Sequence, residues 1–293
     1  MKKGRIKKYL YVLVLLISIG GNVFLLLSNT YISNLQSPEN IKKIEAGVIY
    51  NNLDFRDGEN FDIQYDFSNS NYMKLKEKYN LVQIAGNGSE FEKSKNLMDE
   101  FSRRLKHKPD FDGSVKINAL DLLEYSLDKK SKGINCRCKA QILNEMNLAL
   151  GIYSRKVWLE PLSIYDKECH VVNEIWDTRY NKWIMLDISN NTYWVDNNKT
   201  PLSILEIREK IAKQEFCTPV APNDDLNDLE KSLKKNYSNY IYIAKNMVFM
   251  EYPRNNSVEE DIEVLYLLIP KNVNMEYENI ISESKVLASP IKD

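Results

Sequence analysis

The stretch "GINCRCKAQILNEMNLALGIYSRKV", Gly133 to Val157, decides how this chain folds. It sets Cys136 and Cys138 just ahead of apolar residues at helical spacing: Ala140, Leu143, Met146 and Leu150. Gly151 ends that run, because glycine takes the left-handed backbone that closes a helix. "YSRKVWLE" then changes to the two-residue period of a strand. The spacing predicts a helix opening at Cys136 and a sheet that begins soon after it.

The two cysteines admit several readings. A bridge between residues two apart closes a small, strained ring. A redox pair more often has the Cys-x-x-Cys spacing. Zinc asks for spaced ligand pairs, which Cys136-x-Cys138 and the adjacent Cys169 and His170 do not supply, so no metal and no cofactor is expected. A free cysteine is often a small buried hydrophobe, and Cys138 and Cys217 are read that way. Cys136 differs, because a sulfur at a helix start faces unpaired N–H groups and the positive end of the helix dipole, both of which favour thiolate.

A thiolate nucleophile needs a proton shuttle, and the chain has two histidines. His107 lies in "RRLKHKPD", a basic helix end, where a solvated or dipole role is expected. His170 leads "CHVVNEIW", which with "KWIMLD" flanks the turn "DTRYN" and suggests a hairpin. A turn centred near Arg179 sets His170 opposite position 188, with Asp187 within a residue or two. Such neighbours have Cβ atoms roughly 5–8 Å apart, near enough for Asp187 to hold the imidazole. Cys136, His170 and Asp187 then form a nucleophile, base and orienter.

These residues resemble the transglutaminase-like superfamily. The pieces are Gly133-x-x-Cys136-x-x-x-Ala140, Gly151-Ile152-x-x-Arg155-x-Val157, His170 with Glu174 and Trp176, and Trp183-x-x-Leu186-Asp187. The resemblance covers about residues 115–190 and departs from the family at Val172, where an aromatic is common, and at Ile188, where proline is. It implies a papain-related α+β fold, with helices packed on an antiparallel sheet and the cysteine at a helix N-terminus. It also implies acyl transfer through a Cys136 thioester, with His170 as proton shuttle and Asp187 as its orienter. The outcome would be amide or peptide hydrolysis, or transfer to an amine. The rival reading is a catalytically silent binding module of the same fold at the cell surface; a third is a structural surface protein whose cysteines pair. Glu174 is expected in a surface salt bridge, and Trp158, Trp176, Trp183 and Trp194 in the core.

Farther out, "SNYMKLKEKYNL" and Asn118 to about Asp128 read as helices, and Ser89 reads as the cap of a helix over Glu90 to Lys106. "LSILEIREKIAKQ" and "DLNDLEKSLKKN" read as helices; "YIYIAKNMVFMEY" and "IEVLYLLIP" read as strands. The order predicts an α+β domain with helices on one side of an antiparallel sheet.

The formal charge of −1 hides an asymmetry. Lys2, Lys3, Arg5, Lys7 and Lys8 carry positive charge, so the rest is mildly acidic, with no basic stripe for nucleic acid. Behind that basic run, Tyr9 to Leu27 carries no charge and spans roughly 28 Å as a helix, close to a bilayer's hydrocarbon thickness. The positive flank keeps the N-terminus in the cytoplasm and sends the body outside. A cleaved signal peptide is the competitor, but its cut after Ser18-Ile19-Gly20 would leave Val23 to Leu27 exposed. The expected organisation is a cytoplasmic tail over 1–8, a signal-anchor helix over 9–27 and a tether over 28–65. A catalytic domain over 66–220 and a C-terminal α/β extension over 221–293 complete it. The expected partners are the membrane and a protein or cell-wall peptide amide, with the protein a single-pass bacterial membrane protein.

Overall fold

The local chemistry of the chain sets where its helices begin. Ser89 and Ser203 form capping boxes with Glu92 and Glu206, which start the helices Glu90–Arg104 and Ile204–Ala212. Asn118 and Asn135 accept the N–H groups of Asp121 and Cys138 and so start Ala119–Leu127 and Cys136–Ala149. At the far end of the Cys136 helix, Gly151 has φ +77°. Its N–H donates to the carbonyl of Leu148, and that of Ile152 to the carbonyl of Asn147, which is the Schellman closure that the glycine permits.

The structure is a computed structural model, describing residues 18–25, 28, 37–111, 113–163, 165–257, 264–274 and 276–291. Two compact units divide the chain, Met1–Ile44 and Glu45–Asp293. Residues 18–25 of the first are helical. No helix of the described residues is long and apolar enough to cross a membrane. Most of the expected anchor, residues 9–17 and 26–27, lies outside those residues.

The second unit is built on a seven-stranded antiparallel sheet. Its strands are β1 (Ser154–Glu160), β2 (His170–Asp177), β3 (Lys182–Asp187), β4 (Thr192–Asp196), β5 (Cys217–Val220), β6 (Phe249–Pro253) and β7 (Leu265–Leu268). Their spatial order is β5-β4-β3-β2-β1-β6-β7. Residues 221–293 therefore supply two strands of the same sheet.

Helices cover both faces of this sheet, where the sequence suggested one. On one face Ile175, Ile184, Leu186 and Val195 pack with Leu97, Phe101, Leu122, Leu143 and Met146. On the other, Val157, Val172, Met185 and Trp194 pack with Ile207, Ile211, Tyr240 and Ile243. Part of the second cover is the helix Ile204–Ala212 expected from the sequence, and the rest comes from segments read otherwise. "YIYIAKNMVFMEY" is the helix Tyr237–Lys245 followed by β6. Its buried residues Tyr240, Ile243, Ala244 and Met247 recur at three and four, the helical stripe, which a high density of aromatic and β-branched residues masked. Part of the supposed tether is likewise the helix Pro38–Tyr50, whose Ala46 and Ile49 join the second core.

Candidate active site

The approach to Cys136 is fixed by Gly133. Its φ of +111° suits glycine, and a Cβ there would stand 2.8 Å from the carbonyl oxygen of Lys106. The absent side chain lets the Lys106–Lys108 segment lie along Ile134, with Ile134 N–H donating to Lys106 O (3.1 Å) and Lys108 N–H to Ile134 O (3.0 Å). His107 is thereby bridged to Ile134, two residues before the nucleophile candidate. It is not at a helix end, since the preceding helix stops at Arg104.

Asn135 caps the helix through its Oδ1, which accepts from Cys138 N–H at 3.0 Å. Cys136 is then the first helical residue, and its own N–H has no carbonyl one turn back to receive it. The sulfur is half-buried. Burial pushes the thiol up, and the hydrogen bond and charge of His170, with the N–H groups of Val171 and Arg137, outweigh it and hold the thiol below its ordinary range. Cys138, two residues on, is turned about 200° away, into the core. Burial pushes its thiol up to about 11. All four cysteines are free thiols, so no bridge joins Cys136 to Cys138.

His170 opens β2 and Asp187 ends β3. Asn173 pairs with Leu186 and Asp177 with Lys182, so the hairpin centres between Arg179 and Tyr180, half a residue past the expected Arg179. The difference matters, because a one-residue change of pairing exchanges the faces of a strand. In the expected register Asp187 would lie on the face opposite His170. In the observed one it shares His170's face, and His170 Nε2 donates to Asp187 Oδ2 at 2.9 Å. That leaves Nδ1 as the ring nitrogen available to the sulfur.

The imidazole is fully enclosed and packs edge-on against Tyr242, with centroids 5.3 Å apart. Burial alone would lower its pKa, but the Asp187 charge and hydrogen bond, together with Cys136, raise it to about 10. Asp187 also holds the turn after β3. Its Oδ1 accepts from the N–H of Ser189 (2.9 Å) and of Asn190 (3.2 Å), and its Oδ2 accepts from Asn190 Nδ2 at 2.7 Å. Burial raises its carboxyl, and His170 and Asn190 more than reverse that. The turn role and the orienting role coexist in one side chain.

The geometry thus brings Cys136, His170 and Asp187 together. Sequence reasoning missed Asn190, which supports the carboxylate, Tyr242, which walls the imidazole, and Lys139, one turn beyond Cys136. An Asn three residues after a strand-end Asp was a usable signal, whereas Tyr242 sat in a segment misread as strand. Glu174 is not at the surface: it forms a buried pair with Arg155 at 2.6 Å. The four tryptophans are in the core, as expected. Among the described residues no group of three or more His, Cys, Asp or Glu side chains is placed to hold a metal ion. An open cleft of about 620 Å³ lined by Leu53, Phe55, Arg208 and Glu283 holds neither cysteine nor histidine. Comparison of the chain with protein-family models, curated protein sequences and solved structures returned no match.

Proposed function

We propose that this chain is a cysteine acyl-transfer enzyme, an amide or peptide hydrolase or a transglutaminase-like acyltransferase, working through a Cys136 thioester. One observation carries the reading: a half-buried thiol at a helix start lies against an imidazole that a buried carboxylate orients and charges. Such a pair favours thiolate and imidazolium near neutral pH.

In the proposed reaction the Cys136 sulfur attacks the amide carbon, and the carbonyl electrons move to oxygen, to which the Cys136 N–H donates a hydrogen bond. Collapse re-forms the carbonyl and breaks the C–N bond. His170 gives its proton to the departing amine. The neutral imidazole then takes a proton from water or an acceptor amine as that nucleophile attacks the thioester, and the cysteine leaves as thiolate. Asp187 keeps Nε2 protonated and Nδ1 turned to the sulfur throughout. A transglutaminase-like, papain-related arrangement agrees with the antiparallel sheet and the helix-borne cysteine. The charge-free run Tyr9 to Leu27 behind five basic residues supports a membrane-anchored, extracytoplasmic enzyme acting on protein or cell-wall peptide amides.

The test is the rate of alkylation of intact protein by iodoacetamide against pH. Trypsin cuts after Arg137 and so separates the label on Cys136 from that on Cys138. Cys136 should react well below the pH at which an ordinary thiol ionises, about 8.5, and Cys136→Ala should remove that phase. Equal loss from Cys136→Ala and Cys138→Ala would instead favour a redox pair and end the acyl-transfer reading.

A further inference from the structure

Among the described residues, one cation beside Cys136 forms no ion pair. Lys139 stands three residues on in the same helix, about 60° around from Cys136 and roughly 4.5 Å along the axis. Helical side chains lean toward the N-terminus, so its stem runs back toward the first turn, where the sulfur and the unpaired Cys136 N–H lie. The residue is 2% exposed. Among the described residues its ammonium makes no ion pair and no hydrogen bond, yet Nζ is not sealed from solvent. Burial lowers its pKa, and the negative charges of Asp187 and Cys136 oppose that. Both of those anions are already served by His170.

A buried ammonium at the positive end of a helix is unfavourable on two counts. What offsets it is negative charge nearby, which at rest is that of the Cys136 thiolate and the Asp187 carboxylate. In the acyl-transfer reading part of that charge moves. When sulfur attacks a neutral amide, negative charge leaves the sulfur, within reach of Lys139, and appears on the carbonyl oxygen beside the Cys136 N–H. Lys139, His170, Asp187 and this mobile negative charge sum to zero before attack and at the tetrahedral intermediate, so the lysine balances the site throughout.

We propose that Lys139 Nζ is the second donor to the oxyanion formed when Cys136 attacks, beside the backbone N–H of Cys136. This rests on the acyl-transfer reading. It makes Lys139 a catalytic residue. It also favours uncharged acyl groups, since the oxyanion takes the charge of Lys139.

Two probes separate this role from a general effect on the thiol. p-Nitrophenyl acetate is attacked at a carbonyl and passes through an oxyanion; iodoacetamide is displaced at a saturated carbon and does not. On the full chain, the burst of p-nitrophenolate and the alkylation rate of Cys136 are measured at the pH where each has levelled off. Lys139→Met should lower the ratio of acylation to alkylation by roughly a hundredfold, the effect of deleting one oxyanion donor. Lys139→Arg should recover part of it. Should the methionine variant not fold, Lys139→Gln carries the same comparison. A ratio unchanged by these substitutions overturns the proposal and leaves the acyl-transfer reading standing. A wild-type protein that alkylates at Cys136 but shows no burst removes both.

Discussion

Two buried pairs share one face of β2, and only one of them has the makings of a reactive site. His170 and Glu174 lie four residues apart, so both side chains leave the strand on the same side. His170 meets Asp187, and Glu174 meets Arg155; all four side chains are 5% exposed or less. The Arg155 pair is complete. Its Nε and Nη2 both donate to Glu174 Oε2, Nη2 also reaches Val286 O at 2.9 Å, and Glu174 Oε1 accepts from Ile204 N–H at 3.0 Å. The guanidinium lies 3.8 Å over the Trp183 ring. This pair ties β1 and β2 to the helix Ile204–Ala212 and to the C-terminal segment, and arginine cannot give up its proton. The His170 pair keeps one ring nitrogen free of the carboxylate and turned to a half-buried thiol, and imidazole, unlike guanidinium, can give up and regain a proton. Burial and pairing alone do not mark a site. A titratable member with an uncommitted atom does.

The widest separation between the pairs should come from deleting one member of each. His170→Ala is expected to slow neutral-pH alkylation of Cys136 by up to roughly a hundredfold, because a thiol back at about 8.5 is only a few per cent thiolate at pH 7. Glu174→Ala should leave a buried guanidinium unpaired and destabilise by about 3–5 kcal/mol in chemical denaturation, with Cys136 still reactive. A Glu174 variant that loses thiol reactivity while staying folded would break the contrast.

Asp187→Asn is the next smaller change, because the amide oxygen can still receive the N–H groups of Ser189 and Asn190. What goes is the charge that raises the His170 pKa. Alkylation should fall by less than for His170→Ala, since the imidazole stays beside the sulfur. The alkaline limb of the pH–rate profile should also move toward neutrality. An unmoved limb would mean that Asp187 does not set the imidazolium.

Stability against pH sharpens the same point. His170 is raised in the folded protein, so its contribution is fully present below the unfolded histidine value of about 6.5. That contribution is lost as pH rises through about 10. Wild type should lose unfolding free energy across that window, and Asp187→Asn should show a flatter profile. A wild-type profile no steeper than the variant's would contradict the charged pair.

The smallest effect is expected at Cys138. Cys138→Ala should cost about 1 kcal/mol, as an ordinary core substitution does, and leave alkylation of Cys136 in place. Asn135→Ala should cost about the same through the lost cap. It should also slow alkylation slightly by loosening the first turn that presents the sulfur.

Some of this was legible from residue order, because the interactions close within a few residues. Ser89 with Glu92 and the Gly151 closure are contacts along the chain, so side-chain chemistry and spacing alone placed those helix ends. The same holds for the start at Cys136 and the contrast between Cys136 and Cys138, which follows from helical geometry. Tertiary packing decided what depends on partners distant in sequence. The hairpin centre moved by half a residue, which no turn motif specified, and that put Asp187 on the face of His170. Tyr237–Lys245 became a helix because the second face of the sheet needed an apolar stripe, overriding strand-like composition. Glu174 went inside because Arg155, on the neighbouring strand, could satisfy it there. Nothing in the sequence singles out Lys139, and only its burial beside Cys136 and Asp187 gives its charge a consequence, since the effect of a charge depends on what surrounds it and not on its place in the chain.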